Sequence, residues 1–479
     1  MRRPRVDLPA VLVTAATFTY AMWIASPAFL PVTNGPDVVH HLQLIHAIAR
    51  LGRVPHDPAL SPYLLEMMDY TPGSHLLAAA VAAWLRLDPL RVIYPLAALF
   101  VAVKAGLLYG LARRLAAGTP YASLAAIAAP VLVFVPAAYF LGSLLQFFFY
   151  AQLISEAFAM GFLVALVSWT TRRETSDALA VSACAVGIVL AWPVWLAPCA
   201  MTAASAVWAA PVTWRRRIGL AAWMLGPAIG LAGAHQLAHR GAVSIVASSG
   251  AVTAPSMAVF GVGFVILTAA GVFYAVREST GRVVVVFLAS TLVTAAALAA
   301  LTRFRGVYMA FKMLYLAVLP AAALGALALA RVTALAQARM PRVRGLAVLP
   351  LAVAVLLVRG RVPAHRIHGS LSLPARDVGL WARDHVPPGC VDYFSRYWLT
   401  GYWLHLDVLG NPRQSDRMTE ETFDFPDVAA KWIEGRGLPY AIVEDVIAIP
   451  REIRPDMEPL YGRGTFLLVR NRRAAACRD

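Results

Sequence analysis

Residues 34–75 read NGPDVVHHLQLIHAIARLGRVPHDPALSPYLLEMMDYTPGSH. They are the polar interval between two apolar stretches, 8–30 and 91–112, and their reading decides what kind of membrane protein this is. Gly35-Pro36 places Asp37 at the start of a predicted helix, just beyond the first apolar stretch. At about 100° per residue, Val38, Leu42, Ile45 and Ala49 form an apolar stripe expected to lie on the membrane, and Asp37, His40 and His41 share an adjoining face. Thr71-Pro72-Gly73 then opens a further apolar run, 73–87, which at fifteen residues is short for a span and reads as a re-entrant or interfacial helix.

Around this interval the chain of 479 residues is 59% hydrophobic and 14% charged, with apolar runs recurring along most of its length. The pattern is that of an all-α polytopic membrane protein. About eleven transmembrane helices are expected, near 8–30, 91–112, 119–141, 152–171, 178–193, 196–213, 218–238, 257–276, 282–301, 307–330 and 345–358. A net charge of +16 would suggest nucleic acid in a soluble chain, but here the basic residues are short clusters between spans. Arg113 and Arg114, Arg172 and Arg173, Arg215 to Arg217, Arg277 and Arg282, and Arg331 to Arg344 fall in alternate loops. Orientation in the bilayer accounts for them, so no nucleic-acid partner is expected. The N-terminus is predicted cytoplasmic and the first span, which lacks a small-residue cleavage site, a retained anchor in the plasma membrane.

From about Pro363 charges return and helix-like and strand-like patterns alternate. Two domains are therefore expected: 1–362, a membrane domain with external segments at 31–90, and 363–479, a small extracytoplasmic α/β domain. Strands are predicted near Cys390–Phe394, Tyr440–Val443 and Thr465–Val469, with helices before the first two. Cys390 and Cys477 share this domain and can pair in an oxidising compartment; Cys184 and Cys199 fall in spans as packing residues.

Asp37 has two readings, a residue that caps its helix or a general base or metal ligand oriented by His40 or His41. The chain has only three lysines, and two of them, Lys104 and Lys312, lie in predicted spans, where an ionisable group is a functional candidate. Lys312 follows Arg303 and Arg305 in RFRGVYMAFK, and Glu156 is expected at similar depth on the same side. The alternative for Glu156 and Lys312 is a structural ion pair, and Lys104 is given no role. Glu66 and Asp69 are either a second carboxylate for the loop or solvated charges, and His75 either binds a ligand or bonds to the backbone. A carboxylate with a group of cations suits transfer from a polyprenyl-phosphate donor: the cations hold the phosphate, and the carboxylate takes a proton from the acceptor hydroxyl.

The order of an N-terminal span, a loop opening GPDVVHH, a YTPGSH element leading into an apolar helix, a late RFRGVYMAFK segment and an outer α/β domain resembles the GT-C superfamily of integral membrane glycosyltransferases. The likeness covers most of the chain as an ordered pattern, with residues 34–77 as its motif-like part. It implies a polyprenyl-phosphate-linked sugar donor, an extracytoplasmic glycan, lipid or protein acceptor, and Asp37 as catalytic base or ligand of Mg2+ or Mn2+. It matches the Pro-Pro-Gly-like element of that family to Thr71, Pro72, Gly73 and His75, with Thr in place of the first Pro, and the phosphate-contacting cations to Arg303, Arg305 or Lys312. Many members carry two adjacent acids in the first loop, whereas Asp37 stands between Pro36 and Val38. The expected activity is sugar transfer; the alternatives are a transporter or flippase of lipid-linked saccharides and a non-catalytic envelope-assembly protein.

Overall fold

The computed structural model describes residues 7–32, 35–239, 250–302, 307–387, 389–412, 423–445 and 448–474. The chain forms two compact units: residues 1–24, 69–74 and 95–365 make one, and residues 25–68, 75–94 and 366–479 the other.

The first unit is the membrane unit, and each of the eleven apolar stretches coincides with a helix in it. Among the described residues five helices are long and apolar enough to cross a bilayer: Pro89–Leu115, Tyr150–Arg172, Trp214–Ala238, Ser279–Leu301 and Tyr308–Arg339. Shorter apolar helices, Leu8–Ile24, Ala122–Leu132, Thr175–Ala191, Leu196–Trp208, Val262–Ala275 and Leu349–Val358, complete the set. The expected spans 178–193 and 196–213 are two helices, separated by a single 3-10 turn at Pro193–Trp195. The 119–141 stretch is not one continuous helix. Its helix stops at Leu132, and Pro136, which lacks an N–H, precedes the short helix Ala137–Phe140. Small residues let backbones approach closely in such a bundle. A Cβ on Gly271 would stand 2.0 Å from the Leu324 carbonyl oxygen, so only glycine fits where Val262–Ala275 packs on Tyr308–Arg339. The 73–87 run forms the helix Gly73–Leu85. At about 1.5 Å per residue it is about 20 Å long, well short of the roughly 30 Å hydrocarbon layer.

The second unit is α/β. Its four-stranded sheet has the order β1 (Val391–Phe394), β2 (Tyr440–Val443), β4 (Phe466–Asn471), β3 (Met457–Arg463). β1 and β2 run parallel, and the other two pairings are antiparallel. Helix Leu373–His385 precedes β1 and helix Phe425–Ile433 precedes β2, as expected. The fourth strand, β3, was not foreseen: its sequence MEPLYGR carries Pro459 and Gly462, both strand-weakening, and it survives as an exposed edge with a bulge at Pro459/Tyr461. Phe394, Val428, Trp432, Ala441, Val443 and Val469 pack as the core between helix and sheet. Asp392, buried beside them, accepts hydrogen bonds from the Trp432 Nε1 and the Leu438 backbone N–H, both at 2.8 Å. Cys390 is disulfide-bonded, Cys184 and Cys199 are free thiols, and Cys477 lies outside the described residues.

Candidate active site

In the α/β unit, the sequence 35–52 folds as its composition directs. Pro36 takes the N-cap position, with φ −77° and no N–H to leave unpaired, and Asp37–Leu51 is helical until Gly52 closes it at φ +66°. The apolar stripe does not lie on lipid. Val38, Leu42 and Ile45 are fully buried, but so are Val39 and Leu44, and of the four stripe residues only Ala49 is exposed. Protein surrounds this helix on most sides.

Asp37 occupies the first helical position, partly exposed, with its charge next to the positive end of the helix dipole. It does not cap the helix: no side-chain cap hydrogen bond forms there. Among the described residues no hydrogen bond or ion pair engages its carboxylate, so its oxygens are open to a substrate proton. Neither His40 nor His41 bonds to it.

Both imidazoles are held by other partners. His40 Nδ1 is 2.9 Å from Glu66 Oε1, and its Nε2 is 2.6 Å from the hydroxyl of Tyr402, on the helix Trp398–Trp403. One ring nitrogen thus faces the Glu66 carboxylate and the other the Tyr402 hydroxyl. His41 Nδ1 and His75 Nε2, both buried, share a hydrogen bond of 2.9 Å. One of the two donates, so the facing nitrogens hold a single proton between them. Sequence reasoning had grouped His40 and His41 with Asp37 by helical angle and missed Tyr402, which is 362 positions away.

One and a half turns further along this helix, a separate charged cluster fixes the helix to the rest of the unit. His46 Nδ1 lies 3.0 Å from Asp407 Oδ1 and its Nε2 3.6 Å from Asp88 Oδ1; Asp88 also accepts from Arg376. These residues line a cleft of about 330 Å3 with Arg50 and Tyr63, on the side of the helix opposite Asp37. Burial works against a charged His46, but the Asp407 carboxylate, and then Asp88, overturn this and raise its pKa to about 9. For Asp88, burial is likewise outweighed, by the His46 hydrogen bond, the Leu90 N–H and Arg376, and the carboxyl is held below its ordinary range. The signs follow from linkage. His46 stabilises the fold fully below its ordinary pKa of about 6.5, and that contribution, on the order of 3 kcal/mol, fades as pH rises to 9. Asp88 contributes above the ordinary carboxylate range and is lost on acidification. Unfolding followed by far-UV circular dichroism is therefore expected to show falling stability between pH 6.5 and 9, and His46→Gln is expected to flatten that limb.

In the membrane unit, the expected Glu156–Lys312 ion pair is absent. Glu156 is paired with Lys104, both side chains 1% exposed, and also accepts from Gln152 Nε2 at 2.8 Å. Lys104, assigned no role from sequence, is thus the counter-charge of Glu156. Lys312 instead sits in an aromatic cage, its Nζ 3.9 Å from the Phe149 ring centroid, 4.4 Å from Tyr308 and 5.1 Å from Trp192. Ring faces attract a desolvated cation, by about 2 kcal/mol or more. The YTPGS motif reaches the same place. The Tyr70 ring packs tilted against Trp192, 5.5 Å between centroids, the Thr71 hydroxyl donates to the Ala191 carbonyl at 3.0 Å, and the Tyr150 hydroxyl donates to the Ser74 carbonyl at 2.9 Å. Gly73 is required by crowding, since a Cβ there would stand 2.7 Å from the Leu190 carbonyl oxygen. Phe149, Trp192 and Tyr308 escaped the sequence reading; the aromatic runs FFFY at 147–150 and WPVW at 192–195 were the available signal.

Arg303 and Arg305 lie outside the described residues. Asp69 belongs to the membrane unit, where its Oδ1 lies 3.4 Å from His239 Nδ1. Glu66, the other candidate acid of the loop within the α/β unit, is engaged by His40. Among the described residues no group of three or more His, Cys, Asp or Glu is placed to hold a metal ion.

No protein-family model matches the sequence, nor does any curated protein. Solved structures do match it. ArnT from Cupriavidus metallidurans, bound to undecaprenyl phosphate, aligns over 98% of this chain and all of its own, at 12% identity and a TM-score of 0.55. The arabinofuranosyltransferase AftD from Mycobacteria aligns over 99% of this chain, at 16% identity and a TM-score of 0.56, although the match spans only 40% of that longer enzyme. The Archaeoglobus fulgidus oligosaccharyltransferase, crystallised with Zn and sulfate, aligns over 91% of this chain and 68% of its own, at 14% identity and a TM-score of 0.53. The chain has the GT-C fold. It is a multi-pass membrane protein of that architecture.

Proposed function

We propose that the protein is a glycosyltransferase that moves a sugar from a polyprenyl-phosphate-linked donor to an extracytoplasmic glycan, lipid or protein. The observation that carries the reading is the unengaged Asp37 carboxylate at the head of its helix, in a chain with the GT-C fold. The chemistry of the structurally similar proteins supports the same reading: ArnT was crystallised with undecaprenyl phosphate, and AftD is an arabinofuranosyltransferase.

In the proposed reaction the acceptor hydroxyl oxygen attacks the anomeric carbon, and its proton passes to Asp37. The bond from the anomeric carbon to the phosphate oxygen breaks, and the electron pair leaves with the polyprenyl phosphate. Lys312 is assigned to that departing phosphate charge, with Arg303 and Arg305 as further cations. His40 and His41, fixed by Glu66, Tyr402 and His75, are positioning residues that hold the start of the Asp37 helix. The chemistry is assigned to the extracytoplasmic face of the plasma membrane, with the N-terminus cytoplasmic.

Purified protein in nanodiscs, given radiolabelled sugars on a panel of polyprenyl phosphates and a broad set of acceptors, is expected to show donor-dependent transfer that survives EDTA. Loss of transfer in EDTA would assign a Mg2+ or Mn2+ ion to Asp37. Saturable donor binding without turnover on any acceptor would overturn the enzyme reading.

A further inference from the structure

We infer that the membrane unit carries a binding site for an anionic phospholipid, built by three helices at its arginine-rich end. Tyr150–Arg172, Leu196–Trp208 and Ser279–Leu301 pack against one another. Where the C-terminal ends of the first two meet the N-terminal end of the third, they leave a cavity of about 360 Å3. Arg173, Arg282, Ser205 and Ser279 line it.

The charge balance of this cavity is one-sided. The neighbouring carboxylates are engaged elsewhere: Asp177 by Arg172, and Glu278 by Arg331. Glu174 accepts from the Ser176 hydroxyl. Among the described residues neither the Arg173 nor the Arg282 guanidinium forms a hydrogen bond or ion pair; their backbone N–H groups bond to the Trp169 and Glu278 carbonyls. Arg173 lies over the Trp169 ring, 4.2 Å from its centroid, an arrangement that leaves the guanidinium N–H groups directed outward around its rim. Ser205 and Ser279 add two hydroxyl donors with no partner among the described residues. Two guanidinium forks and two hydroxyls converging without an acid are a phosphate-recognition set.

A lipid, rather than a free phosphate, is favoured by what lies along the same helix faces. One turn from Ser205 is Met201, 39% exposed. From Arg282 the face continues through Val286 to Val293, 59% exposed. Polar pocket and apolar tracks thus run in series on both helices, which matches a headgroup joined to acyl chains. Trp208, 74% exposed, stands at the end of its helix as interfacial tryptophans do. Basic pockets between spans are a recurrent way of holding such headgroups.

The test is native mass spectrometry of the full chain released from nanodiscs containing equal phosphatidylglycerol and phosphatidylcholine. The wild type is expected to retain phosphatidylglycerol selectively. Each arginine removed is expected to weaken retention about fivefold, so that Arg173→Gln/Arg282→Gln loses roughly twentyfold or more. Ala209→Trp, at an exposed position on the cavity wall, fills the space while keeping both arginines and is expected to lose the lipid as well. If the double variant fails to melt cooperatively, Ala209→Trp alone decides. Equal retention of the two lipids, or selective retention that survives Ala209→Trp, overturns the site. Displacement of phosphatidylglycerol by millimolar inorganic phosphate overturns the lipid assignment in favour of a simple phosphate site.

Discussion

Asp37→Asn is expected to lower sugar transfer by about 10²–10⁴-fold, the usual contribution of a positioned general base, while the protein folds normally. The structural cost is small because the carboxylate caps nothing: Pro36 holds the N-cap position and no side-chain hydrogen bond would be lost. What disappears is the interaction of one charge with the helix dipole, about 0.3–1 kcal/mol. The amide is close to the carboxylate in size and differs in having no capacity to accept a proton at neutral pH. A melting temperature within a few degrees of the wild type, together with lost turnover on the radiolabelled donor, is the predicted pair of results. A variant that still transfers sugar at the wild-type rate removes Asp37 from the role of base, and with it the main support for the proposed chemistry.

The second large effect concerns stability. Glu156→Gln leaves the Lys104 ammonium buried without its counter-charge, and breaking a buried pair in this way is expected to cost about 3–5 kcal/mol. Lys104→Met/Glu156→Leu, which removes both charges and keeps comparable volume, is expected to recover most of that loss, because two well-packed apolar groups avoid the desolvation that the pair had to overcome. Denaturant unfolding in detergent, followed by tryptophan fluorescence, measures both. If Glu156→Gln unfolds like the wild type, the pair is not the electrostatic unit that its burial implies. The same comparison separates Glu156 from the sugar-transfer machinery, since the double variant should regain activity along with stability.

The membrane architecture was legible because the bilayer imposes a length on every apolar run, and that length is printed in the sequence. Among the described residues five of the eleven stretches form helices long enough to cross a bilayer, and the other six contain shorter apolar helices. Strand alternation likewise located β1, β2 and β4, whereas β3 was hidden by its proline and glycine. The site was legible only in part. A helix start signalled by Gly35-Pro36 placed Asp37 correctly at the head of its helix. Periodicity could not say whether the stripe of Val38, Leu42 and Ile45 meets lipid or protein, because both are apolar and present the same pattern. Partner choice was the least accessible information. Helical angle put His40 and His41 beside Asp37, but their bonds go to Tyr402, Glu66 and His75, brought in by the tertiary fold. Equal predicted depth suggested Lys312 for Glu156; depth says nothing about rotation around the helix axis, and it is Lys104 that faces the acid.

The YTPGS turn has a consequence for how such a chain can change over time. Its hydroxyl contacts are made to main-chain oxygens: Thr71 bonds to the Ala191 carbonyl, and the Ser74 carbonyl accepts from Tyr150. Gly73 is likewise confined by the Leu190 carbonyl. A carbonyl is the same whichever side chain accompanies it, so these contacts do not depend on which side chain stands at position 191. Architecture held in this manner outlives the letters that first encoded it, and two chains can keep one arrangement of helices at 12% identity.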